Sequence, residues 1–518
     1  MARHDNSIVM DYDPRYLVCK VQQRILLKPS ISWNPEKQAY KIIQKQKHRE
    51  DFNDEVAGGR ITESLLSTLT IHMADMRMIK TSSFEYIKKL SLLYIYWKAF
   101  LLAVVACSPG PGYDTSSSFS YPNEHKKNIP FLVHYLAQKL TRWDAVYFIE
   151  ISRRGYIFEQ EWAFGWGMTR FMALCTLGVR KYIFDSDGLE CVVGVLIAHT
   201  THFLSVIVLF ALTLKIFIGE NLENFAFFTA CLHIISPAGI FLSAPYAESP
   251  CALLSFIGIL TFTKSFSVKL PLTKDFLILT SGALFGIATT FRSNAILNGF
   301  LILEEAIRTL LAFRKGFRAT KFRHLLATGL AGLFVGSGSL IPQYIAYNEY
   351  CAESPTLKRP WCTKAFPSIY QYVQSFYWNV GLFRYWKLSN LPLFLISAPM
   401  YCLIFASGIW ALNLTITKNF LKNLDSTGGL KINYRYCLIV RNLAISQLIL
   451  SIVTFTTAHA QIISRTSSSY PVWIWFLTSL LLSQKKSKFE PLVKGLTSYL
   501  TTYGIVQAGL FSSFLPPA

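Results

Sequence analysis

The 518-residue chain is 52% hydrophobic and 15% aromatic but only 16% charged, where an ordinary soluble domain runs at roughly 25% charged. That balance excludes a soluble enzyme, and collagenous, disordered and disulfide-scaffold chains as well. Lys and Arg number 51 against 30 Asp and Glu, a net charge of +21; in so apolar a chain the surplus points to basic loops held at an anionic leaflet rather than to nucleic acid.

Residues 1–83 are polar and carry charges of both signs, with a weak amphipathic stretch over 61–76 and no cleavable signal-peptide pattern. They read as a cytosolic extension, either partly helical or poorly ordered. From Tyr86 onward, apolar stretches of about 20 residues recur, the length a helix needs to cross a bilayer with its backbone satisfied. About eleven transmembrane helices are predicted, over 86–107, 189–216, 224–244, 247–263, 275–292, 296–313, 324–347, 391–416, 436–458, 470–483 and 493–515. The second domain is therefore 84–518, an all-α polytopic membrane protein with one long loop over 108–188 and another over 348–390.

Counting loops from a cytosolic N-terminus puts every short basic loop on one side. These carry Lys264, Lys269 and Lys274, then Arg314, Lys315, Arg318, Lys321 and Arg323, then Lys418, Lys422, Lys431 and Arg435, then Lys485, Lys486, Lys488 and Lys494. The loop over 108–188 is balanced, with nine Lys and Arg against eight Asp and Glu. Cytosolic loops are the ones that carry Lys and Arg, so the two long loops are expected to be luminal. Eight cysteines, Cys19, Cys107, Cys175, Cys191, Cys231, Cys251, Cys402 and Cys437, sit singly, as small hydrophobes do. Cys351 and Cys362 share a polar loop and could be bridged if that loop faces an oxidising lumen; the sequence leaves open whether they are. No zinc-ligand spacing and no phosphate-binding G-x-x-x-x-G-K-[ST] loop is present.

The polar residues that do not suit a lipid-facing surface fall into a few segments. The long first loop holds Arg142-Trp143-Asp144, then Gly155-Tyr156, then Glu159-Gln160-Glu161-Trp162-Ala163-Phe164. An acid among aromatics suits a sugar pocket, where rings pack on C–H faces and the carboxylate takes a proton, and it suits an interfacial aromatic belt equally in kind. His233-Ile234-Ile235-Ser236-Pro237-Ala238 runs on to Tyr246-Ala247-Glu248-Ser249, where Glu248 is either a site residue or a carboxylate at a helix start. Arg292-Ser293-Asn294 interrupts an apolar run, and His459-Ala460-Gln461 leads to Arg465. Each arginine either binds an anion such as a lipid phosphate or snorkels to the interface. The loop over 348–390 concentrates Trp361, Gln374, Trp378, Asn379 and Arg384 among tyrosines, a composition for carbohydrate or for an interface. His199 and His202 read as packed helix residues, and Asp185-Ser186-Asp187 as a polar cap.

In this order the segments resemble the GPI mannosyltransferase 2 (PIG-V) family of endoplasmic-reticulum glycosyltransferases. The matching elements are Arg142-Trp143-Asp144 with Gly155-Tyr156 and Ala163-Phe164, Ser236-Pro237-Ala238 with Tyr246-Ala247-Glu248-Ser249, and Arg292-Ser293-Asn294. Pro360-Trp361-Cys362, Tyr377-Trp378-Asn379-Val380-Gly381 with Arg384-Tyr385-Trp386, and His459-Ala460-Gln461 through Arg465 complete them. The resemblance covers roughly 84–518 and departs from the family pattern at Gly165-Trp166-Gly167-Met168. It implies a GT-C glycosyltransferase of the ER membrane with a luminal active site. Its substrates would be dolichyl-phosphate mannose, as donor, and the growing glycosylphosphatidylinositol (GPI), which receives a second, α1,6-linked mannose with inversion. No cofactor and no metal are expected, and the partners are the lipid-linked donor and acceptor, with a small accessory membrane subunit in some relatives. Asp144 becomes the expected catalytic base. Trp143, Glu161, Glu248, Arg292, Asn294, Trp361, Gln374, Trp378, Asn379, Arg384, His459, Gln461 and Arg465 become the expected substrate-binding residues. A lipid or lipid-sugar transporter, and a non-catalytic subunit of a membrane complex, are the competing classes; the clustering of polar motifs at one face rather than at the midplane argues against the first.

Overall fold

The computed structural model describes residues 84–110, 129–352, 359–416, 431–432, 436–483 and 490–516. The extension over 1–83, with its expected helix over 61–76 and Cys19, lies outside the described residues, as do Lys418, Lys422, Arg435, Lys485, Lys486 and Lys488.

Each of the eleven expected spans contains a helix. α1 (Phe84–Cys107) is followed by three helices inside the long loop, α2 (Phe131–Leu140), α3 (Asp144–Arg154) and α4 (Trp166–Tyr182). Then come α5 (Leu189–Ile216), α6 (Leu222–Ile234), α7 (Glu248–Ser265), α8 (Pro271–Phe291), α9 (Gly299–Ala312) and α10 (Ala319–Tyr347). The second loop holds α11 (Ile369–Phe376), and the chain continues through α12 (Leu391–Ile416), α13 (Cys437–Thr457), α14 (Ile462–Thr466), α15 (Val472–Leu482) and α16 (Glu490–Ser512). Six of these, α1, α5, α8, α10, α12 and α13 with short flanking turns on two of them, are long and apolar enough to cross a membrane. A two-residue antiparallel pairing of β1 (Phe217–Ile218) with β2 (Lys431–Ile432) lies at the end of α5, with Phe217 opposite Ile432.

Three of the expected spans, those of α6, α9 and α15, hold helices too short for a full crossing, and α6 and α15 shape the site. α6 has 13 residues and α15 has 11, or about 20 and 16 Å at 1.5 Å per residue, short of a hydrocarbon core about 30 Å thick. The run expected to be helical to residue 244 stops at Ile234, three residues before Pro237, which has no N–H to continue the ladder. A 3₁₀ turn at Gly239–Leu242 replaces it. α6 and α15 are neighbours, with Thr229 donating to Thr478 at 3.2 Å. Beyond their ends the helical wall gives way to irregular backbone, and this region is called the recess. Such backbone is tolerated at membrane depth only when buried in protein, and every residue from Ser236 to Leu253 is buried.

The long loop is more structured than its balanced charge implied. α3 buries Ala145, Phe148, Ile149, Ile151 and Ser152, a helical spacing that lays it on the bundle. The segment that departs from the family pattern starts α4, where the absent Cβ of Gly165 lets the chain lie against the Phe291 carbonyl next to Arg292. In the second loop Cys351 and Cys362 are bridged, with Cα atoms 5.7 Å apart. At the other end of α8, Asp275 accepts from Arg323 at 2.7 Å and from His324 at 2.5 Å. His324 reaches Glu305 at 2.9 Å with its second nitrogen, tying α8, α9 and α10 together away from the recess.

Gly165→Ala should destabilise the protein by about 1–3 kcal/mol, the cost of forcing a group into a filled space. Gly178, in the same helix with open space around it, should gain up to about 1 kcal/mol when changed to Ala. Thermal unfolding of both variants in detergent checks the pair.

Candidate active site

The recess is lined by four ionisable side chains contributed by distant parts of the sequence. Glu248 opens α7, is 1% exposed, and offers one carboxylate oxygen to two arginines. Arg292, which follows the last residue of α8, donates to Glu248 Oε1 from Nη1 at 2.6 Å. Arg465, in the one-turn helix α14, donates to the same oxygen from Nε at 2.9 Å. The sequence left open whether Glu248 caps a helix or belongs to a site; it stands in the first turn of α7 and also pairs both guanidiniums. Each arginine side chain is 18% exposed, so both reach the recess as well as the carboxylate.

Asp144 completes the network. Its Oδ2 lies 3.4 Å from both Nη1 and Nη2 of Arg465, a contact looser than the Glu248 pairs, and its side chain is 43% exposed. The Arg465 guanidinium rests on two aromatic faces, 4.2 Å from the Phe241 ring centre and 4.9 Å from that of Tyr246. Burial works against its charge, but Glu248 and Asp144 outweigh burial and push its pKa up, so it stays protonated. Two carboxylates and two guanidiniums balance, which is how four charges can share a largely dry site.

An aromatic wall continues from Asp144. Tyr147, one helical turn on, stacks on Phe164 with ring centres 4.6 Å apart, and Phe164 meets Trp378 edge-on at 5.8 Å. Burial, then the Asp144 and Glu161 carboxylates, push the Tyr147 phenol up, keeping it a neutral donor. His459 stacks on Tyr385 at 4.7 Å, and the Tyr385 hydroxyl donates to Gln461 Oε1 at 3.1 Å. Burial pulls the His459 imidazole down more than its hydrogen bond with the Trp378 backbone and the Asp144 charge lift it, leaving it neutral near pH 7. Asn294 accepts from Arg292 Nε at 3.4 Å and, through its carbonyl, from the Tyr470 hydroxyl at 2.9 Å.

Other residues expected at the site stand elsewhere or serve the scaffold. Glu161 takes Arg154 at 2.5 Å and the Ile157 and Phe158 N–H groups, fastening its own 3₁₀ turn. Trp361 is fully buried, its indole N–H donating to Glu159. This bond ties the second loop to the first. Asn379 accepts from Arg384 at 3.4 Å on an exposed turn, and the Gln374 carbonyl accepts from the Val380 N–H at 2.8 Å. Asp185, of the Asp-Ser-Asp segment, pairs with Arg180 at 3.1 Å. Among the described residues no group of three His, Cys, Asp or Glu is placed to hold a metal ion.

Sequence reasoning quoted Tyr246 in a motif but gave it no role, and it missed Phe241, which with Tyr246 floors Arg465, and Lys98. Lys98 lies mid-helix in α1, buried, and donates to the Leu242 carbonyl at 3.0 Å and to Ser243 Oγ at 2.7 Å. It holds the segment that carries both rings. A lysine within an apolar span was its available signal.

A bundle of membrane-crossing helices that carries a balanced ion network beside an aromatic wall is a polytopic membrane protein with a polar cluster at one end. Residues 86–518 match the mannosyltransferase (PIG-V) family, and the chain belongs to it. It is 38% identical over 438 residues to a Gibberella zeae protein named GPI mannosyltransferase 2, covering 83% of this chain and 98% of the relative. A Chaetomium globosum protein of the same name is 39% identical over 456 residues, covering 82% and 94%. Among solved structures, an Archaeoglobus fulgidus oligosaccharyltransferase aligns over 68% of this chain and 48% of its own, with 12% identity and a TM-score of 0.34, a likeness too slight to carry an argument.

Glu248→Gln leaves two guanidiniums over one neutral oxygen. It should cost about 3–5 kcal/mol, as breaking a buried pair does, whereas Arg153→Ala, which breaks an exposed pair with Glu150, should change stability by less than about 1 kcal/mol. Unfolding midpoints of the two variants make the comparison.

Proposed function

We propose that this protein is the GPI-pathway mannosyltransferase that adds the second mannose. In this reading it moves mannose from dolichyl-phosphate mannose to the 6-hydroxyl of the first mannose in the ER lumen. The observation that carries the reading is the pairing of an accessible carboxylate, Asp144, with two guanidiniums already gathered on Glu248. That arrangement supplies a base on one side of a reacting sugar and a phosphate clamp on the other.

Asp144 takes the proton of the acceptor hydroxyl as its oxygen attacks the anomeric carbon. The bond from that carbon to the phosphate oxygen breaks, its electron pair leaving with dolichyl phosphate. Arg292 and Arg465 face the charge that grows there, the electrostatic part of the catalysis. Attack opposite the leaving group turns a β-linked donor into an α-linked product. The loose 3.4 Å contact of Arg465 with Asp144 gives this order a physical basis: a phosphate that draws Arg465 releases Asp144 to act as base. The aromatic wall from Tyr147 to Trp378 offers ring faces for the acceptor sugar. Two features support a luminal site. The second loop is bridged by Cys351 and Cys362, as an oxidising compartment permits. The short loops beginning at Lys264 and Arg314 leave the opposite ends of α7 and α9, as the positive-inside rule requires.

In cells lacking their own second-mannose enzyme, Asp144→Asn at low expression should lower mannolipid product by at least about 100-fold; full complementation contradicts the base assignment. Arg292→Gln and Arg465→Gln should each depress turnover, while Lys315→Gln should not. Tolerance of both arginine changes would remove the phosphate clamp.

A further inference from the structure

The geometry points to Phe514 as a positioning residue that aims Asp144 by holding the backbone of Trp143 in a conformation ordinarily reserved for glycine. This inference rests on the reading of Asp144 as base and concerns how that carboxylate is kept in place.

Trp143 has φ 55° and ψ −131°, and the Ala145 N–H returns to the Arg142 carbonyl at 3.1 Å. That is the geometry of a type II′ turn with Trp143 at its first central position, where glycine dominates because a Cβ is strained there. Asp144 is the next residue, so the direction in which its carboxylate leaves the chain is set by this turn. A second residue in a left-handed conformation packs against it. Phe514 has φ 58° at the end of α16, where the Leu515 N–H returns to the Leu510 carbonyl at 2.9 Å. Such a helix end also favours glycine. Two backbone positions suited to glycine thus carry aromatic rings, and the rings meet edge to face with centres 5.9 Å apart.

The surroundings join this contact to the ion network. Phe514 is 1% exposed, and the Arg142 guanidinium lies over its ring at 4.5 Å. One turn earlier, Phe511 packs edge-on against Phe241 at 5.7 Å and Tyr246 at 5.9 Å, the two rings beneath Arg465. The end of α16 therefore braces both partners of the Asp144–Arg465 pair: Phe514 meets Trp143, and Phe511 packs on Tyr246, whose hydroxyl donates to the Arg142 carbonyl at 3.5 Å. A strained turn persists only where its surroundings over-determine it; the buried Phe514 ring is the contact on Trp143 itself, beside the Tyr246 hydroxyl on the Arg142 carbonyl.

The test uses glycine, which relieves the backbone at both positions while removing the ring; because loss of the buried Phe514 ring leaves a destabilising cavity, thermal unfolding first establishes that each full-length variant is folded under the assay conditions. Phe514→Gly, Trp143→Gly and the double variant are assayed in single turnover with enzyme in excess, using dolichyl-phosphate mannose and a one-mannose acceptor. Donor binding is measured separately. Phe514→Gly should lower the rate constant by at least about ten-fold, as a small misplacement of a reacting group does, with donor affinity within about two-fold because Arg292 and Glu248 are untouched. In the Trp143→Gly background, Phe514→Gly should cost nothing further, since the two rings act as one unit. Wild-type turnover in Phe514→Gly, or a double variant whose loss is the product of the single losses, overturns the proposal. Asp144→Asn in the same assay separates the two ideas: retained activity there defeats the base assignment, whereas the coupling of Trp143 and Phe514 is read in proteins that keep Asp144.

Discussion

Glu248 is a carboxylate out of reach of water, at a depth where an unpaired charge costs several kcal/mol. Its oxygen Oε1 accepts from two guanidiniums, that of Arg292 from the end of α8 and that of Arg465 from the short helix α14. Without that negative charge the two cations would repel each other, and neither has a reason to stay at membrane depth. The break between α8 and α9, and the turn at α14, are therefore held by one atom as much as by their own backbone. Asp144 then meets the outward side of Arg465 and completes a neutral set of four charges.

The room for this network comes from helix length. α6 and α15 stop well short of a full crossing, and the space beyond their ends is taken by Ser236–Leu253 and by the chain around α14. Polar side chains can gather there because protein, not lipid, surrounds them. Lys98 pins the Leu242–Ser243 backbone from α1, and α3 covers the recess with Asp144 at its first turn. The membrane-crossing helices thus act mainly as walls, while the ion network sits on short segments and helix ends between them.

Much of this was legible because a bilayer imposes a simple rule. Runs of about 20 apolar residues announce helices, and each of the eleven stretches contains one. The shortness of α15 showed in its brief apolar run over 470–483, but that of α6 was harder to see, since Ile234 to Leu242 remains apolar and only Pro237 and Gly239 mark the change. Cys351 and Cys362 stood out by sharing one polar loop. The Glu248 pairs join residues 44 and 217 positions apart, and no periodicity links such positions; the residues were readable as odd, their meeting was not. Glu161 looked like a sugar ligand because of its aromatic neighbours, yet the nearby N–H groups of Ile157 and Phe158 claim it. The left-handed turn at Trp143 had no sequence signal, because it lacks the glycine that usually gives one.

The most direct test is an experimental structure of the full-length protein with dolichyl phosphate bound in a bilayer mimic. The account predicts the phosphate within hydrogen-bond distance of both Arg292 and Arg465, with Glu248 still joining them and Asp144 released from Arg465 toward the open recess. A phosphate bound away from these two arginines, or an Asp144 carboxylate that stays paired while the phosphate is in place, would contradict it.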